Sequence, residues 1–122
     1  MLPKISRLVK DKEFENVFKK GRSSYDEVIG TKMIKNELGI NRFGIIISSK
    51  VSKKATVRNK IKRQIRGIVK EKINQLVPGH DLVFVCLPGI VGRSFKEIEN
   101  SIDEHFKRLR ILRAAVPKKN DA

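Results

Sequence analysis

Residues 50–72 read KVSKKATVRNKIKRQIRGIVKEK, with ten basic residues set against the single acid Glu71. Val57, Ile61, Ile65, Ile68, Val69, Ile73 and Leu76 recur through this stretch and just past it at steps of three and four. That period predicts an amphipathic helix whose apolar face docks on a core. Lys62, Arg63, Arg66 and Lys70 then point outward as a cationic ridge. Thr56 is placed to cap the helix, residues 49–55 form a basic lead-in loop, and Pro78 with Gly79 breaks the helix after about Leu76.

On either side of the helix lies a strand. Residues 42–48 (RFGIIIS) are rich in β-branched side chains, and residues 81–87 (DLVFVCL) are continuously apolar after Asp81, as in a strand covered on both faces. Further upstream, residues 28–34 (VIGTKMI) read as a modest strand weakened by Gly30, and the turn residues Asn36, Gly39 and Asn41 suggest an antiparallel hairpin with 42–48. At the N-terminal end Asp11 can cap a short helix with Phe14, Val17 and Phe18 on one face, closed by Gly21. At the other end Ser94 caps a last helix carrying Phe95, Ile98, Ile102, Phe106 and Leu109 at helical steps. The expected order is α-β-β-α-β-α: an α+β fold, a two-layer α/β sandwich with a small mixed sheet. Residues 1–116 are expected to form one domain and residues 117–122 a flexible tail. If strands 42–48 and 81–87 are parallel, the general rule makes the crossover between them right-handed.

Charge narrows the partner. The chain of 122 residues carries 28 Lys and Arg against 13 Asp and Glu, a net charge of +15. Such an excess attracts nucleic acid or an anionic membrane. No apolar run approaches the roughly 20 residues of a spanning helix, the first ten residues lack a signal-peptide core, and the basic helix has no Trp or Phe to anchor it in lipid. Nucleic acid is the better reading, with no membrane partner. Cys86, the one cysteine, sits in an apolar strand and reads as a buried structural thiol, which fits a reducing, cytoplasmic home.

Catalytic equipment is sparse. The acids are scattered with no metal-ligand pattern, and Glu97, Glu99, Asp103 and Glu104 read as the solvated face of the last helix. His80 and His105 have no partner at a spacing that suggests acid–base work. No protein residue is expected to be catalytic. Binding equipment is plentiful by contrast. Arg58, Lys62 and Arg66 form an i, i+4, i+8 row flanked by Arg63, with Asn59 adding an amide and Lys50, Lys53 and Lys54 leading in. Arginine forks onto phosphate oxygens, and a helix N-terminus favours anions. Two readings fit Phe14 and Phe18. They are core residues, or they are rings set among Lys10, Lys12, Lys19, Lys20 and Arg22 on which single-stranded RNA stacks.

Taken in order, these residues resemble the protein component of bacterial ribonuclease P. The most specific part is KKATVRNKIKRQIR at 53–66, which contains the family's RNR signature around Arg58 and Asn59. Arg7, Leu8, Phe14, Phe18 and Gly21, then Arg42-Phe43-Gly44 with Ser48, then HDLVFVC at 80–86, fit the flanking elements, so the likeness runs from Arg7 to about Arg110. The resemblance implies a ribonucleoprotein endonuclease that removes 5′ leaders from precursor tRNA. Its large RNA, with bound Mg²⁺, performs the hydrolysis, and no obligate protein partner is evident. It further implies that Lys50, Lys53, Lys54, Arg58, Asn59, Lys62, Arg63 and Arg66 contact the catalytic RNA and that Phe14 and Phe18 border a leader cleft. It also implies a rare left-handed crossover in place of the right-handed default.

The chain departs from that pattern at two places. Ser48-Ser49-Lys50 stands where many relatives have two lysines after the serine, with Lys53 and Lys54 able to supply the charge. An aromatic often present in the first strand is missing near Thr31 and Lys32. A general or ribosomal RNA-binding module, a protein-only nuclease and a DNA reader are the competing readings. The last two lack clustered carboxylates and a helix-turn-helix, respectively.

Overall fold

The structure is a computed structural model that describes Arg7, Leu8 and residues 10–113; the expected tail at 117–122 and the last residues of the expected domain lie outside these. Along the chain run α1 (Asp11–Lys20), β1 (Arg22–Tyr25), β2 (Ile29–Lys35), β3 (Arg42–Ile46), α2 (Ala55–Lys72), β4 (His80–Cys86) and α3 (Phe95–Leu109). The strands form one mixed sheet in the order β1-β2-β4-β3, with β3 and β4 parallel and the other pairs antiparallel.

The α+β architecture holds, with two corrections. A fourth strand, β1, precedes the three expected ones. Its sequence RSSY has no apolar alternation because it is an edge strand, with only Ser24 buried. The expected hairpin between 28–34 and 42–48 does not form, because β4 inserts between β2 and β3. β4 is buried on both faces, as its apolar run requires, and so takes the centre of the sheet.

Two cores flank β4. On one side Phe84 stacks on Phe43 and meets Phe106 of α3 edge-on, while Ile61, Ile65, Ile68 and Val69 of α2 complete the larger cluster. On the other side Val17 of α1 packs with Leu8 and Val83. Cys86 is buried in the larger core, and that burial pushes its thiol up to about 12 against the lowering influence of Lys62. It is an inert packing residue.

The hand of the crossover follows from one residue. Phe43 turns its ring toward the α2 side, and its carbonyl accepts from the Leu8 amide at 2.8 Å, on the edge away from β4. Viewed from the α2 side with β3 running upward, an L-residue whose side chain faces the viewer points its carbonyl to the right. Leu8 is therefore on the right and β4 on the left. A parallel strand reached leftward through a helix in front makes a left-handed crossover, the exception to the right-handed rule.

Helix ends differ in detail from the sequence expectations. Lys10 and Lys54, not Asp11 and Thr56, are the N-caps of α1 and α2, and neither supplies a side-chain cap. Ser94 caps α3 in a reciprocal box with Glu97. Gly21 closes α1 without a left-handed turn (φ −77°); it is needed because a Cβ there would lie 2.4 Å from the Val17 carbonyl oxygen.

Candidate nucleic-acid interface

The helix period that buries Ile61, Ile65, Ile68 and Val69 of α2 leaves the intervening cations outward. Lys50, Lys53 and Lys54 are exposed in the lead-in loop, and Asn59 and Arg63 are exposed on the helix. Arg58, Lys62 and Arg66 are half-buried, and Arg58 reaches back to donate Nη1 to the Ser52 carbonyl at 2.7 Å. That bond ties the loop to the first turn of α2. None of these cations pairs with an acid among the described residues. Acids elsewhere are engaged. Asp103 and Glu99 of α3 hold Lys72 at 2.9 and 3.5 Å, and Glu97 and Glu27 lie beside Arg93. The last helix's acids are therefore not simply a solvated face: two of them clasp α2.

Phe14 and Phe18 have different surroundings. Phe14 is half-buried and wedged over Gly44, where a Cβ would sit 2.4 Å from its ring. It lines an open cavity of about 140 Å³ with Arg7, Phe43, Lys62 and Arg66, so the cation row of α2 and the aromatic of α1 meet at the β3 edge. Phe18 is 38% exposed and stands on the α1 side of the sheet.

The sequence reading missed Tyr25. Alternation along β1 places it on the α1 side, opposite Gly30, and it is 45% exposed. An aromatic thus stands in β1, the strand before the one that holds Thr31 and Lys32. The only tyrosine, it is flanked by polar residues and followed by Asp26 and Glu27, so no apolar alternation marks its strand.

The ion cluster around Arg42 was also missed. Its guanidinium donates to Asp81 at 2.9 and 2.8 Å and pairs with Glu13 of α1. The hydrogen bonds that Arg42 donates to Asp81 offset the cost of burial and, with Glu13, hold the Arg42 pKa above its ordinary value. His105, one of the two histidines set aside as structural or exposed, is wholly buried, while His80 lies at the surface end of β4.

The Ribonuclease P family model matches residues 2–110. The chain belongs to the ribonuclease P family. It is 35% identical over 112 residues to the ribonuclease P protein component of Synechocystis, covering 91% of this chain and 90% of that one. It is 39% identical over 99 residues to that of Syntrophomonas wolfei, covering 81% and 82%. The ribonuclease P protein of Staphylococcus aureus superposes with a TM-score of 0.82 at 27% identity, over 88% of this chain and 98% of that one. That of Thermotoga maritima gives 0.76 at 28% identity, over 84% and 96%. As a ribonuclease P component, the chain is part of an endoribonuclease complex acting in tRNA processing, with ribonuclease P RNA as partner.

Among the described residues no three His, Cys, Asp or Glu side chains converge as a metal site, and no helix is long and apolar enough to cross a membrane.

Proposed function

We propose that the protein seats on the catalytic RNA of ribonuclease P through α2 and its lead-in loop, and receives the single-stranded 5′ leader of precursor tRNA on the α1 side of the sheet. One observation carries this reading. Lys50, Lys53, Lys54, Arg58, Lys62, Arg63 and Arg66 have no acid partner among the described residues, whereas Lys72 and Arg93 do. A surface that leaves this many cations unpaired is matched to a polyanion, and Asn59 among them can both donate to and accept from RNA. Phe14 and Phe18, with Tyr25, supply ring surface on the leader side.

Hydrolysis of the phosphodiester, leaving a 5′-phosphate on the tRNA, is assigned to the RNA. Mg²⁺ is assigned to that RNA as well. The complex is placed in the cytoplasm, and the protein alone is not catalytic.

The test is precursor-tRNA cleavage at low Mg²⁺ with the catalytic RNA alone, the protein alone, and both. Correct 5′ cleavage in the mixture alone is expected. Cleavage by the protein alone, or no rescue by a folded protein, overturns the reading. Arg66→Ala should weaken assembly with the RNA by roughly tenfold, the scale of one charge-assisted contact. At about 0.15 M KCl, where repulsion among the surface cations is screened, it should leave the circular-dichroism melt unchanged, since Arg66 makes no hydrogen bond within the described fold.

A further inference from the structure

On the α1 side of the sheet, Lys32 of β2 faces outward beside Gly30, with Ser23 opposite it on β1 and Val83 opposite it on β4. Its ammonium lies 5.4 Å from the Phe18 ring centroid and 5.7 Å from that of Tyr25. No acid pairs with Lys32 and no acceptor takes its N–H groups among the described residues.

Two ring faces hold an ammonium in place by their quadrupoles without neutralising it. The full charge and three donors stay available, in contrast to a lysine clasped by a carboxylate such as Lys72. The backbone beneath is shaped for this arrangement. Tyr25 lies across Gly30 so closely that a Cβ there would fall 2.2 Å from the ring. Gly30, which weakens β2 as a strand, thus makes room for the tyrosine that steadies Lys32.

We infer that Lys32 is the phosphate-binding centre of the leader groove, neutralising one backbone phosphodiester of single-stranded RNA while Phe18 and Tyr25 stack the nucleobases on either side of it. The inference rests on the leader reading above and adds to it a named cation, a ring on each flank and a ligand atom class. A ring–cation–ring array matches the base–phosphate–base repeat of a single strand; a duplex, its bases already stacked on one another, would leave both rings idle.

The test uses the assembled holoenzyme and measures affinity for leader-bearing precursor tRNA and for mature tRNA over a series of KCl concentrations. Lys32→Met should weaken leader-bearing substrate by about five- to tenfold and flatten its log–log salt slope by about 0.7, the contribution of one single-strand phosphate. Mature tRNA should bind unchanged, and Lys32→Arg should keep most of the wild-type affinity. Equal losses on both substrates, or an unaltered salt slope, overturn the inference. A loss that depends on the identity of one leader base at constant slope also overturns it, because Lys32 then donates to a base. If the wild-type holoenzyme itself does not distinguish leader-bearing from mature tRNA, the leader reading fails, and this inference with it. A wild-type preference that Lys32→Met leaves intact sinks the inference alone.

Discussion

Thr31 buries its side chain completely on the helix side of β2, between Ser24 of β1 and Phe84 of β4, and its Oγ1 finds no hydrogen-bond partner. An unmet buried hydroxyl costs about 1–3 kcal/mol, so the isosteric Thr31→Val should raise stability by roughly 1–2 kcal/mol in urea unfolding. A neutral or negative result would show that the hydroxyl has a partner in solution. Directly opposite Thr31 on the neighbouring strand, Ser24 is well satisfied. Its Oγ lies 2.6 Å from Nδ1 of the buried His105, whose Nε2 is 2.9 Å from the Ile29 carbonyl oxygen. A carbonyl only accepts, so Nε2 carries the proton and Nδ1 accepts from the serine; the ring is neutral. Burial pushes the His105 pKa below its ordinary value, and nearby Asp26, at 3.3 Å, only partly opposes this. The unfolded chain therefore takes up the proton first as pH falls. Stability is full above about pH 6.5 and declines on acidification below it. Urea midpoints at neutral and mildly acid pH should show that decline in the wild type and a flat, lower line in His105→Gln. Asp26 titrates later: its own burial is outweighed by the Ser101 hydroxyl and the Ile29 and Val28 amides, which hold it below the usual carboxylate range. None of this was legible in sequence, because the partners of His105 lie 76 and 81 residues away.

At the scale of elements, the helices were the readable part. The three-and-four spacing of Ile61, Ile65 and Ile68, and of Ile98, Ile102 and Phe106, records a buried face directly, and burial follows it. Strand neighbours are not encoded that way. Nothing local in 28–34 or 42–48 says that a third strand, nearly forty residues on, will insert between them, and a polar edge strand such as β1 has no apolar alternation to reveal it. What secures α1 to this sheet is also non-local. Arg42 of β3 reaches Asp81 of β4 and Glu13 of α1 at once, with Asn36 Nδ2 adding a hydrogen bond to Asp81 at 2.8 Å. Asp81 is 3% exposed, so removing the guanidinium leaves a buried charge short of its partner. Arg42→Met should cost about 3 kcal/mol or somewhat less, given that the arginine is partly exposed. Hydrogen exchange should quicken in α1 more than in α3. Uniform loss of protection in both helices would mean the cluster supports the sheet as a whole rather than the α1 contact.

Across the whole molecule, composition foretold the partner better than the shape. The net charge of +15 and its concentration around α2 were visible at once, and the family resemblance carried the left-handed crossover that the general rule gets wrong. The same charge has a thermodynamic consequence for the free protein. Its core is divided by the sheet, with Val17, Leu8 and Val83 forming a small cluster on the α1 side, while the unpaired cations of residues 50–66 crowd one surface. Like charges held together in the native state repel one another more than they do in an expanded chain. Screening relieves that repulsion: the Debye length falls from about 30 Å at 0.01 M salt to about 8 Å at 0.15 M. The melting temperature of the RNA-free protein should therefore climb by several degrees over that interval in KCl. Arg66→Ala and Arg63→Ala, each removing one charge from the crowded face, should raise the low-salt value and shrink the climb. A melting temperature indifferent to KCl would show that the fold tolerates its charge without help. A gain from sulfate well beyond that from chloride at equal ionic strength would assign the stabilisation to preferential exclusion or an occupied anion site instead of to screening.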